Sequence, residues 1–190
     1  LLRYGNPRAV AHHTAEALDR GYRWLKVHEI ETAQVKAARE TAGPGVELMV
    51  DCNCPWTVEQ AVAMARTWEP FALRWLEEPV WPPENHRGLA AVRRRGHIAI
   101  AAGENAMAAD FKSMFQARAV TVAQPSVTKV GGISEMRAVI ALADAFGIEV
   151  VPHSAFFGPG FLASLHLIAA MTREAPVERF YCDFDVNPYH

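Results

Sequence analysis

"VELMVDCN", Val46–Asn53, is the stretch on which the fold turns. It is a short apolar run, preceded by the breakers Gly43, Pro44 and Gly45, and it ends on a carboxylate. A run of that length between turn signals reads as a buried strand. The same form returns in "LRWLEEP" (Leu73–Pro79) and "IAIAAGEN" (Ile98–Asn105). The acids that close these runs, Asp51, Glu77 and Glu104, are 26 and 27 residues apart. One strand, one helix and two connections fill that interval, the repeat of a βα unit.

Outward from these three, five further runs complete the pattern: "LLRY", "WLKVHEI", "AVTVAQPS", "IEVVPHS" and "ERFYCDF". Between the runs lie alanine-rich amphipathic segments such as Pro7 to Leu18, Thr32 to Thr41, Val58 to Thr67, Phe111 to Ala117, Ser134 to Phe146 and Pro159 to Ala170. Eight strands with seven intervening helical segments predict a closed parallel α/β barrel, a TIM-like (β/α)₇β fold spanning residues 1–190 as one domain. Asp51, Glu77, Glu104, Ser126, His153 and Glu178 then all fall near strand C-termini, which in a barrel converge on one mouth. Single acids at such positions usually cap helices. Three at matched positions would repel one another unless a cation neutralised them, and hard oxygen ligands favour Mg²⁺.

Composition narrows the partners. The 190 residues carry a formal net charge of −2 and are 51% hydrophobic, which suits one sizeable core and offers no basic surface for nucleic acid. The longest basic run, Arg93–Arg95, reads as a solvated helix end. No stretch is long and apolar enough for a membrane span, and no signal peptide opens the chain. Three cysteines (Cys52, Cys54 and Cys182) fit a reducing, cytoplasmic setting, and the C-x-C pair lacks the further ligands of a zinc site. The chain opens on Leu1 in what reads as a strand tail, so it is expected to be part of a longer protein.

The motifs "MVDCN", "WLEEP", "AAGEN", "KVGG" and "VPHS", in this order, resemble the C-terminal barrel of the enolase superfamily, in its mandelate racemase and muconate lactonizing group. The resemblance implies Mg²⁺ on Asp51, Glu77 and Glu104, with Glu78 on the opposite strand face. It implies removal of the proton α to a substrate carboxylate through an enediolate held by the metal. Lys129 and Glu178 resemble positions near the substrate. Asn53 admits two readings, a substrate contact or a polar turn residue. It further implies an N-terminal capping domain that is absent from this chain.

Two positions depart from the family pattern. The second strand of such barrels often carries Lys-x-Lys, where this chain has Lys26 and His28, two apart and so on one strand face. A histidine starts near pKa ~6.5, and a neighbouring cation pushes it lower, so neutral His28 serves as a base without the tuning a lysine needs. His153 matches the usual histidine of a His–Asp dyad, but Ser126 stands where the aspartate belongs. A His153 without a carboxylate, oriented by Ser126 or Gln124, suits a proton donor better than a base. Racemisation needs two bases, whereas elimination of water needs one base and one acid. The sequence therefore favours a Mg²⁺-dependent dehydratase of a sugar acid or related hydroxy acid, working as a homo-oligomer with Lys26, His28 and His153 as catalytic groups. Racemase or cycloisomerase chemistry, or a non-catalytic metal- and carboxylate-binding relative, are the alternatives.

Overall fold

A computed structural model of the chain describes residues 3–181. The chain divides into two compact units, residues 1–101 and 102–190. Among the described residues there are six short strands and seven α-helices in regular alternation.

In the first unit the order is α1 (Pro7–Asp19), β1 (Trp24–Val27), α2 (Thr32–Ala42), β2 (Glu47–Asp51), α3 (Val58–Trp68), β3 (Leu76–Glu77), α4 (His86–Gly96) and the start of β4 (Ile100–Ala102). All pairings are parallel, with Lys26 opposite Met49, Asp51 opposite Glu77 and Glu77 opposite Ala101. Local sequence explains the elements. Asn6 caps α1 and Pro7 occupies its first turn, where a missing N–H costs nothing. Thr57 and Gln60 form a reciprocal capping box on α3. Val10, Ala38 and Leu48 seal α1 and α2 against β2, with Tyr4, Leu25, Val27 and Leu73 around them. Fully buried Trp68 donates its indole N–H to Thr32 Oγ1 at 3.0 Å, so even this large side chain leaves no orphan donor. The Arg39 guanidinium donates to four carbonyls, those of Gly43, Val46, Phe71 and Ala72, and so fixes the approach to β2.

The second unit holds the end of β4, then α5 (Ala108–Gln116), β5 (Val122–Ala123), α6 (Ile133–Phe146), β6 (Glu149–Val150) and α7 (Gly158–Ala169). Val122 lies opposite Glu149 and Ala123 opposite Val150, again parallel. Gln124 N–H reaches Ala102 O at 3.0 Å. The parallel α/β class expected from the sequence is what the structure has.

Two of the eight expected strands differ. Arg3 and Tyr4 are not in a strand, because the Tyr4 and Gly5 amides go to the Glu29 carboxylate (2.6 and 3.1 Å) instead of a ladder. Glu178–Tyr181 is likewise not a strand; Glu178 N–H and C=O both engage the Ser154 hydroxyl, each at 2.9 Å. The rest of those two runs, with Cys182, lies outside the described residues. The Arg93–Arg95 triplet sits in the last turn of α4, where basic charge complements the helix dipole. No helix among the described residues is long and apolar enough to cross a membrane.

Gly103, one residue before Glu104, carries a steric constraint. Its φ of +121° is a region L side chains avoid, and an added Cβ would meet the Phe111 ring at 2.6 Å. Gly103→Ala is therefore expected to lower the unfolding free energy by about 1–3 kcal/mol. Gly45→Ala, with open space around it, should stay within about 1 kcal/mol of wild type. Urea titration of the two variants checks the contrast.

Candidate active site

The first unit brings four of the expected residues together. β1 alternation puts Lys26 and, one step past its end, His28 on the side of Asp51. Asp51 ends β2 and Glu77 ends β3, directly opposite each other in the ladder, 2% and 1% exposed. Two carboxylates at that spacing and burial demand positive charge. Lys26 Nζ supplies it, 2.8 Å from Glu77 Oε1 and 3.6 Å from Asp51 Oδ2. His28 Nε2 is 3.8 Å from the other Asp51 oxygen, Oδ1. The second Glu77 oxygen accepts the Trp75 indole N–H at 3.0 Å. Trp75 was not among the expected site residues, although "RWLEEP" places it two before Glu77 on the same strand face.

Around this group, Glu78 leaves the pattern with φ of +43° and accepts from Cys54 Sγ at 3.5 Å. Asn53 is exposed, in a left-handed conformation (φ +57°), with its N–H donating to Asp51 Oδ1 at 3.0 Å. β2 stops at Asp51, so strand alternation does not reach Asn53, which stands in the turn after the strand. Burial, reinforced by Asp51 and Glu77, pushes the Cys52 thiol well above its ordinary pKa. It is a protonated core group, not a thiolate ligand.

The second unit gathers Glu104, Lys129, His153 and Glu178. Glu104 follows β4 and accepts from the Asn105 amide at 3.0 Å and from Lys129 Nζ at 3.3 Å. Lys129 also donates to Asn105 Oδ1 at 2.9 Å, so amide and ammonium together orient Glu104. His153 follows β6 and is 5% exposed, its ring edge-on to Phe156. Ser126 Oγ faces Thr128 Oγ1 at 3.1 Å.

Here the structure corrects one expectation. His153 is not without a carboxylate: its Nδ1 is 3.2 Å from Glu178 Oε2 and 3.3 Å from Glu104 Oε2. The residue that makes this arrangement is Ser154. Its N–H donates to Glu178 Oε2 at 3.2 Å, and its buried hydroxyl bridges the Glu178 backbone. The acid arrives from 25 residues along the chain, so spacing around "VPHS" gave no sign of it. Trp81 and Phe157 are largely exposed, the latter stacked on Phe180, while Trp56 packs edge-on against Trp68.

The donor set suits a hard divalent cation. Asp51 and Glu77 offer carboxylate oxygens only, buried and with Lys26 Nζ within 3.6 Å of both.

Comparison with known proteins agrees with these features. The chain is 40% identical over 121 residues to 3,6-anhydro-alpha-L-galactonate cycloisomerase of Streptomyces coelicolor, covering 63% of this chain and 33% of that protein. It is 32% identical over 163 residues to D-xylonate dehydratase of Haloferax volcanii, covering 84% of this chain and 39% of that protein. Among solved structures, L-talarate dehydratase from Polaromonas sp. JS666, complexed with Mg and L-glucarate, superposes with a TM-score of 0.80 at 30% identity, covering 92% of this chain and 49% of that one. The chain thus spans between a third and a half of the length of these relatives. Residues 9–190 match the enolase C-terminal domain-like family, and the chain belongs to that family.

Proposed function

We propose that residues 1–190 act as the barrel domain, a (β/α)₇β barrel in its closed form, of a Mg²⁺-dependent dehydratase of sugar acids or related hydroxy acids. Asp51, Glu77 and Glu104 hold the metal, and the enzyme works as a cytoplasmic homo-oligomer beside a capping domain outside this chain. The observation that carries the reading is the approach of both Lys26 and His28 to Asp51, at 3.6 and 3.8 Å. It joins a candidate base to a buried carboxylate pair. The names of similar proteins, D-xylonate dehydratase and L-talarate dehydratase among them, support the reaction class.

When bound, Mg²⁺ would draw negative charge onto the substrate carboxylate and so acidify the adjacent carbon. Lys26 adds a positive charge beside the same carboxylates. His28 Nε2 takes the α-proton and the C–H electrons spread onto the substrate carboxylate as an enediolate, which then re-forms the carboxylate and the new C=C bond as the β-hydroxyl departs. His153 gives that hydroxyl a proton, so water leaves. With Nδ1 turned to Glu178 and Glu104, Nε2 of His153 is the nitrogen left for this transfer. Lys129, Glu178 and Asn53 contribute to substrate binding. Glu178 and Glu104 give His153 the carboxylate partners that Ser126 does not supply, so racemisation is not disfavoured on that ground.

A second reading is a cycloisomerase. It uses the same base and proton donor, and the 40%-identical relative carries that name. The two readings separate by product, an unsaturated acid that tautomerises to a keto acid against a ring-opened or ring-closed isomer.

With Mg²⁺ and a panel of sugar acids in deuterium oxide, the protein should exchange the α-proton of at least one panel member. His28→Asn should slow that exchange by about 10²-fold or more. His153→Asn should retain exchange while slowing loss of water by a comparable factor. Exchange that survives in His28→Asn would remove its assignment as base, and proton NMR reads both quantities. If no panel member exchanges, the enzymatic reading gives way to a carboxylate-binding relative.

A further inference from the structure

The first unit carries a second group of metal-ligating side chains, drawn from none of the residues above. His12, His13 and Glu16 lie on α1, and each offers one ligand atom within 4.8 Å of the others. The spacing explains this. Glu16 is four residues from His12 and three from His13, both neighbour positions on a helix surface. A single oxygen, Glu16 Oε2, faces both rings, 2.9 Å from His13 Nδ1 and 3.7 Å from His12 Nε2. The rings themselves stand edge to face at 5.1 Å.

One of the three ligands is held in place. The Tyr4 ring stacks on His13 at 4.4 Å and 19°, and the Tyr4 N–H is anchored on buried Glu29 at 2.6 Å. Fixing His13 in this way lowers the ordering cost of a bound ion.

We propose that His12, His13 and Glu16 form a surface site for Zn²⁺. Two imidazoles and one carboxylate are the donors that borderline divalent ions prefer, in contrast to the all-carboxylate set proposed for Mg²⁺. Water completes the coordination, since three protein ligands leave a position open. Binding inserts the ion between the Glu16 carboxylate and the rings, and it displaces the proton that His13 Nδ1 shares with Glu16. The site ties one turn of α1 together and does not depend on the enzymatic reading.

Isothermal titration of Zn²⁺ into metal-stripped protein, in buffer holding saturating Mg²⁺, tests this. Wild type should take up one zinc equivalent that His12→Ala and Glu16→Gln weaken at least about tenfold. Far-UV circular dichroism checks that these variants keep their helix content, as exposed helix positions should. Zinc should also raise the thermal midpoint of wild type and raise it less in either variant. Zinc uptake equal in wild type and both variants, or no uptake by wild type up to ~1 mM, would overturn the proposal.

Discussion

The contact between Lys26 Nζ and the Asp51–Glu77 pair is the constraint around which the first unit is arranged. Both carboxylates are buried, and both sit at adjoining ends of parallel strands because the register places Asp51 opposite Glu77. Such a pair without compensation would cost several kcal/mol. The ammonium at 2.8 Å, the Trp75 indole at 3.0 Å and the Asn53 amide at 3.0 Å each answer part of that demand. Parallel strands meet this need cheaply, since every ladder ends on the same side and a side chain from β1 reaches the ends of both β2 and β3.

The second unit solves a related problem by other means. Glu104 is satisfied by an amide and an ammonium, and His153 Nδ1 lies 3.2–3.3 Å from acids that come from before β5 and after α7. Ser154 is the quiet organiser: one hydroxyl and one amide fix both the backbone and a carboxylate oxygen of Glu178. Each unit thus places a histidine close to acids, His28 near Asp51 in the first and His153 near Glu104 and Glu178 in the second.

Much of this was legible in the sequence, for physical reasons that apply residue by residue. Apolar runs ending in Asp51 and Glu77 are strands because a parallel sheet buries both faces, which erases alternation and leaves a plain apolar word. The period of two placed Lys26 and His28 on one side correctly. It does not extend to Asn53, because the strand has already ended there. The partner of His153 could not be read, since side-chain contacts between Ser154 and Glu178 leave no periodic trace. Tyr4 and Glu178 looked like strand residues by composition, but hydrogen bonds from side chains took the place of a ladder.

The most direct test of the account is the stability of Lys26→Met, measured by urea unfolding in EDTA and again in excess Mg²⁺. Removing the ammonium takes away the cation that Asp51 and Glu77 share in a buried place, so the metal-free variant should lose about 3–5 kcal/mol. Mg²⁺ should restore a large part of that loss and stabilise the variant more than it stabilises wild type. A variant as stable as wild type in EDTA, or one that gains nothing from Mg²⁺, would contradict the claim that this carboxylate pair is built to hold a cation.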